Sequence, residues 1–585
     1  MSSPFKDRLF RGYGPLIGFA AIFLAVVLLV PSKAPDGVAA LATGKASSVG
    51  DLLADDGSGD TGATDTTVAA AIDPATGQPA GAGGSTGGAK GGAKGAGAAK
   101  AAKGPGVAGA AAKAGPAAGG ANAAAGPPKV AGCGNAQVPG DPYSPICVQF
   151  SGDNGGATTK GVTATDITVT VRVDGFENGF ADAVTKASPA QAKLPNETPE
   201  RIENTITSLV EYFNRHFQFY GRKLKLVLYN GKGQVLQEIL GQGQEGAQAD
   251  ALKVAEEYQA FADVSAVTPV YADALSSKGV INMGVPYVSR KWLTAHRPYA
   301  WSQFTDCSTV VESVASYYAT KMAGGAATNA GGDLQGKPRR MAIVAPTNDE
   351  YQECVRAGID LLNKAGKGGD LVANHSYPLE ISSDKSADDI YSKLKGDGIT
   401  TVICGCDPIF LNFITGTMAQ NSYFPEMVVT GVALVDNDIV GQIMEPNVWK
   451  HAFGVSFAGP TERQGASLGY RAFKSVKPAD TPSAAVDLIY NQLYLLALGI
   501  QMAGPGLNPA SFEKGMFEYP KHTGPYGTWG FGPNDYSTSD DAREIHWVPN
   551  TVSALDGVAG AYVDSNGGNR FPIGQWPAGN PVAGP

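Results

Sequence analysis

The stretch MAIVAPTNDEYQECVRAGIDLLNKAGKGGDLVANHSY, residues 341–377, decides the fold. Met341-Ala342-Ile343-Val344 is an apolar run that reads as a strand, and Tyr351 to Ala365 reads as a helix. Leu371 to Tyr377 is the next strand. The pattern continues with a helix over Ala387 to Lys395, a strand at Thr401-Val402-Ile403-Cys404, a helix from Ile409 to Asn421 and a strand at Glu426 to Thr430. A helix over Ser308 to Met322 precedes the whole series.

The same alternation runs upstream. Ile167 to Val173 predicts a strand, and residues 199–218 a helix with Ile202, Ile206, Leu209, Val210, Phe213 and Phe217 on one face. Strands at Leu224 to Tyr229, Val264 to Val267 and Val280 to Asn282 are separated by helices over 246–261 and 271–278. Strand and helix alternating in two runs predict two parallel-sheet α/β lobes. Ligands of such sheets sit at the carboxyl ends of the strands, so two facing lobes enclose a cleft.

The rest of the 585-residue chain is built differently. Residues 12–32 carry no charge and centre on the apolar run Leu16 to Val30, long enough as a helix to span a bilayer core of ~30 Å. Lys6, Arg8 and Arg11 precede it and hold the N-terminus in the cytoplasm. The expected topology is a single-pass membrane protein with an extracytoplasmic C-terminal domain. The competing expectation is a signal peptide cleaved near Ala40, after Val38-Ala39-Ala40. No cysteine between residues 30 and 45 offers a lipidation site.

From 33 to 130 the chain is nearly all Ala, Gly, Pro, Ser, Thr, Asp and Lys, with no aromatic residue between Phe23 and Tyr143. Such a segment buries too little apolar surface to offset its conformational entropy, so it predicts a disordered tether. Its random-coil span is roughly 50–60 Å. A loop over 131–159 follows, in which Cys133 and Cys147 are expected to pair in an oxidising compartment.

The net charge of −9 offers no basic excess for phosphates, so no nucleic-acid partner is expected. Phosphate-loop and zinc-protease motifs are absent, no catalytic residue is assigned, and the chain does not read as an enzyme. His216, His296, His375, His451, His522 and His546 are scattered without ligand spacing, so neither a metal nor a cofactor is expected.

The order of elements over residues 160–585 resembles type I periplasmic solute-binding proteins, in the branch of the branched-chain amino-acid receptors of ABC transporters. Gly161-Val162-Thr163-Ala164-Thr165-Asp166-Ile167 is similar to that branch's approach to its first strand. Val280 to Ser289 resembles its fourth-strand region, and Ala345 to Tyr351 the strand-to-helix turn of its second lobe. Gly405-Cys406-Asp407-Pro408 sits at a Gly-rich turn of the family, and Arg570 to Trp576 looks like its ending. The resemblance implies a two-lobed fold crossed three times by the chain, with lobe one at about 160–304 and 456–522 and lobe two at about 305–455 and 523–585. It also implies a hinge that closes on a small-molecule ligand, and an ABC permease as partner. The alternative is a ligand-sensing or scaffold protein that acts through another envelope protein.

Amino-acid receptors of this kind hold the ligand carboxylate with Ser/Thr hydroxyls of lobe one and the ammonium with an acidic residue of lobe two. The matching segment here, Val264 to Tyr271, keeps Ser265 and Thr268 but lacks the usual Gly and Ser-Ser pair. After Thr430-Gly431, where the acidic residue belongs, come Val432, Ala433 and Leu434, and no carboxylate before Asp436. A free amino acid is therefore not the expected ligand. Phe176, Tyr271, Tyr287, Tyr351, Asp407 and Phe457 complete the candidate site, suited to a small apolar or amphipathic molecule. For each aromatic the alternative is core packing. Asp349 and Asp407 precede predicted helices, where a carboxylate also serves as a cap, and for Asp349 capping is the favoured role. Cys307, Cys354, Cys404 and Cys406 are expected in disulfides, with Cys404 or Cys406 pairing to Cys307 or Cys354.

Overall fold

Short β-rich runs too brief for helices become the strands of two sheets, and each sheet is covered by the amphipathic segments between them. The computed structural model describes residues 136–173, 198–380 and 383–582. All lie in the second of the two contact units of the chain, residues 127–585. The predicted membrane segment 12–32, the tether 33–130, Cys133 and Phe176 fall outside the described residues. Among the described residues no helix is long and apolar enough to cross a membrane.

The first lobe holds β1 (Asp166–Arg172), α1 (Pro199–His216), β2 (Lys223–Tyr229), α2 (Val235–Ile239), α3 (Gln244–Leu252), β3 (Ala262–Asp263), α4 (Pro269–Ser277), β4 (Ile281–Met283), α5 (Arg290–Ala295) and β5 (Ala300–Trp301). Its sheet runs β2-β1-β3-β4-β5, all parallel. Gly161 enters this sheet at φ 75°, where a Cβ would lie 2.2 Å from the Phe261 backbone nitrogen, so only glycine fits.

The second lobe follows with α6 (Cys307–Lys321), β6 (Met341–Pro346), α7 (Asp349–Lys364), β7 (Leu371–Tyr377), α8 (Asp384–Gly396), β8 (Thr401–Cys404), α9 (Pro408–Gln420), β9 (Glu426–Val429), α10 (Asp438–Gln442), α11 (Pro446–Trp449) and β10 (Ala452–Ser456). The chain then returns through α12 (Leu468–Val476), α13 (Val486–Ala503), α14 (Pro509–Glu518), β11 (His522–Gly524) and β12 (Gly527–Trp529), and finishes in β13 (Asp541–Val552), β14 (Ala559–Asp564) and β15 (Arg570–Pro572). The second sheet is ordered β14-β13-β10-β9-β8-β6-β7, with β15 on β13. Strands β6 to β10 are parallel, and β13 is antiparallel to β10.

Three details depart from the sequence pattern. The predicted strand Val264 to Val267 is a buried turn, and the strand is Ala262–Asp263 instead. Asp263 accepts from its own Ser265 N–H at 2.8 Å, which bends the chain off the sheet. The final return to lobe two falls after Tyr536 rather than near 522. Trp529, Phe531 and Tyr536 pack in the first lobe's core, where the Trp529 ring lies 4.1 Å from that of Tyr143. The cysteines also pair differently. Cys307 bridges Cys354, tying α6 to α7, and Cys404 bridges Cys406. The bend at Gly405, between the end of β8 and the start of α9, brings the Cys404 and Cys406 Cα atoms to 5.0 Å, inside the span a disulfide bridges. Cys147 is disulfide-bonded.

Candidate functional site

The carboxyl ends of both sheets converge on a cavity of about 350 Å³. Lobe one contributes Glu238 and Ile239 of α2, Val267 and Val270 around the start of α4, and Tyr287 beyond β4. Lobe two contributes Pro346 at the end of β6, Tyr351 at the start of α7, Cys406 and Asp407 at the start of α9, and Thr430 with Val432 to Leu434 after β9. Its walls are overwhelmingly hydrocarbon. Among the described residues no lysine, arginine or histidine lines it, and its carboxylates are Glu238, Glu350 and Asp407.

Glu238 is already neutralised. Arg172 ends β1 fully buried and forks onto it, with Nη1 at 2.8 Å and Nη2 at 2.9 Å from the two carboxylate oxygens. Nη1 also reaches Asp250 at 3.1 Å, and the guanidinium lies 4.0 Å above the Tyr271 ring. Thr268 donates to Glu238 and accepts the Tyr271 N–H as the N-cap of α4. Asp263 is the second node. Its carboxylate accepts from Thr170 at 2.7 Å, from the Ser265 hydroxyl at 2.6 Å and from Tyr271 at 3.1 Å. Burial raises the Asp263 carboxyl above its ordinary value despite these donors.

The structure therefore separates the candidate residues. Ser265, Thr268 and Tyr271 spend their polar groups inside this network, and none lines the cavity. Phe457 packs in the core beside the second sheet. It covers Gly431, where φ is 75° and a Cβ would lie 2.9 Å from the ring. Tyr287, Tyr351 and Asp407 stand on the cavity wall. Asp407 is also the N-cap of α9. It accepts the Ile409 and Phe410 N–H groups at 2.9 and 3.0 Å and the Tyr377 hydroxyl at 2.7 Å. Burial raises its carboxyl all the same. Asp349 is the first residue of α7, whose cap position is Asn348.

Two features of the wall carry no motif. Tyr287, Ala433 and Leu434 have φ of 53°, 52° and 59°, in the left-handed region that side chains with a Cβ seldom adopt. Such strain persists only where surrounding structure imposes it, and it concentrates at ligand sites. The Tyr287 hydroxyl, on lobe one, is faced by the Leu434 and Ala433 N–H groups of lobe two, and burial pushes that phenol's pKa up. The Tyr287 ring meets Phe304 at 5.2 Å. Lobe one also touches lobe two at Glu353 of α7, which takes Lys291 at 2.9 Å and the Ser289 hydroxyl at 3.2 Å.

A family model described as periplasmic binding protein matches residues 200–550, more than half of the chain. The chain belongs to the periplasmic binding protein family. Among solved structures the chain is similar to a solute-binding protein of an ABC transporter from R. palustris, in complex with 4-hydroxybenzoate. That likeness has 12% identity, covers 70% of this chain and 98% of the other, and gives a TM-score of 0.47. It is also similar to an ABC-transporter substrate-binding protein from Desulfitobacterium hafniense in complex with Leu, at 15% identity over 68% of this chain and 99% of that one, with a TM-score of 0.43. A branched-chain amino acid transporter substrate-binding protein from Streptococcus pneumoniae, in complex with isoleucine, gives 14% identity, 68% and 99% coverage and a TM-score of 0.45. No curated protein matches the chain.

Proposed function

We propose that this protein captures a small, uncharged, largely apolar solute between its lobes outside the cytoplasm and passes it to an ABC permease. Residues 12–32 hold it at the membrane, and the 33–130 segment lets the binding domain search around that partner. The observation that carries the ligand class is the composition of the cavity wall, which is mostly hydrocarbon and lacks any basic side chain among the described residues. A carboxylate ligand would have no cation to pair with, and desolvating an unpaired charge costs several kcal/mol or more. An ammonium would find Glu238 already taken by Arg172, and Asp407 already accepting from the Ile409 and Phe410 N–H groups and the Tyr377 hydroxyl, which leaves Glu350 alone to meet it. Tyr287, Tyr351 and Asp407 are the groups placed to orient a polar end of the ligand.

The test is a thermal-shift screen of the full chain against amino acids, sugars, aromatic acids, amides, alcohols and neutral apolar solutes. A ligand at a hundred times its Kd stabilises by about 2.7 kcal/mol. Neutral apolar solutes should raise the melting temperature while free amino acids leave it unchanged. A response to amino acids alone, or to nothing, would overturn the reading. For the anchor, full-length protein should stay in the membrane pellet after alkaline carbonate extraction, and a chain lacking residues 1–32 should not.

A further inference from the structure

The cavity does not stop at the cleft. It continues into lobe two, between the sheet and the paired helices α6 and α7. Its deep wall is formed by Val310 and Val314 of α6, Gly358 and Leu362 of α7, Ile343 of β6 and Ile403 of β8. The accessibility of the sheet registers this opening. Ile343 and Ile403, mid-strand, keep 8% and 6% of their surface, while Ala342 and Val344 on the opposite face keep none. From Tyr351 at the cleft to Leu362 at the bottom, α7 rises about 16 Å. The slot is narrow as well as long. At Gly358 the two helices nearly touch, and a Cβ there would lie 3.3 Å from that of Val311. The disulfide Cys307–Cys354 fixes the helix spacing at the cleft end, and both of its cysteines line the same cavity.

Well-packed interiors hold few voids wider than a water molecule, and an apolar void gives water no hydrogen-bonding partners. A slot of hydrocarbon walls opening onto a cleft with hydroxyls matches one ligand shape. Building on the capture of an apolar solute proposed above, we infer that the ligand is an elongated amphiphile. Its linear alkyl tail lies between α6, α7 and the sheet, and its uncharged polar head lies in the cleft beside Tyr287, Thr430 and Asp407. The head is an alcohol or amide rather than a carboxylate, because no basic group meets it among the described residues.

Titration calorimetry of the full chain with linear primary alcohols from butanol to decanol tests this. Affinity should rise about fourfold per methylene, the gain from burying one CH₂, across the whole series, because even an extended decanol chain is shorter than the slot. Val314→Phe from the helix side and Ile403→Phe from the sheet side fill the slot, and far-ultraviolet circular dichroism verifies that each is folded. In either folded variant the chain-length dependence should vanish while butanol binds as before. Equal dependence in wild type and both variants would overturn the inference, as would a flat wild-type series. If alcohols fail but a compact apolar solute still raises the melting temperature, the tail assignment falls and solute capture stands. If no solute of any shape binds, both fall.

Discussion

Replacing Arg172 by methionine should cost this domain about 3–5 kcal/mol, the usual penalty for removing one partner of a buried ion pair. The guanidinium is fully buried and holds two carboxylates at once, Glu238 at 2.8 Å and Asp250 at 3.1 Å. Methionine fills much of the volume but leaves both acids without a counter-charge. Stacking over Tyr271 is lost as well, worth about 2 kcal/mol when desolvated. The loss is moderated because neither acid is stripped bare. Asp250 still accepts the Lys232 and Gly233 N–H groups at 2.7 and 2.8 Å, and Glu238 still accepts from Thr268. The triple variant Arg172→Met/Glu238→Gln/Asp250→Asn removes the charges while keeping an acceptor for Thr268 and one of the two that Asp250 offers Lys232 and Gly233, so it should recover part of the lost stability. Urea unfolding at neutral pH, monitored by tryptophan fluorescence, measures all three proteins. A loss below about 1 kcal/mol in the single variant would refute the claim that the network carries an obligatory charge balance. So would a triple variant no more stable than the single one. Because Glu238 stands on the cavity wall, neutral solutes should also bind the single variant more weakly than the triple.

Three further outcomes follow from the same geometry. Cys307→Ser with Cys354→Ser opens a crosslink of sequence separation 47 and should lower unfolding free energy by about 4 kcal/mol on the chain-entropy account, measured by denaturant titration. Tyr287→Phe removes the hydroxyl faced by the Ala433 and Leu434 N–H groups. It should weaken the best solute of the screen about fivefold, the worth of one net hydrogen bond, with little change in stability. Burial, with Asp540 and Asp306 nearby, pushes the Asp535 carboxyl from 3.8 up to about 7. Its folded value exceeds its unfolded one, so the native state holds the extra proton. That contribution is full below 3.8 and is lost as pH rises through about 7. Asp535→Asn should flatten the corresponding decline in wild-type stability, and parallel pH profiles for the two proteins would refute the assignment.

Sequence by itself determined the two-lobed α/β architecture, because local periodicity reports which segments need a sheet beneath them and which need a helix face. The run from Met341 to Tyr377 already contains a strand, a helix and a strand in parallel order. It also placed Tyr287, Tyr351 and Asp407 where the strand ends meet, and the run Val432-Ala433-Leu434 announced that no acidic group waits in the position an ammonium would need. Arg172 offered a further signal. A charge closing an apolar strand requires a buried partner, yet the partners lie 66 and 78 residues away, and local spacing cannot name them. Only tertiary structure decided that Ser265, Thr268 and Tyr271 serve the charge network instead of the cavity. Hydroxyls commit to the strongest nearby acceptor, and here Asp263 and Glu238 supply it. The bridge of Cys404 to Cys406 likewise depended on the bend at Gly405, which residue spacing does not reveal. The slot between the second sheet and the paired helices α6 and α7 was beyond reach of sequence for the same reason: a void exists only in how distant segments fail to meet.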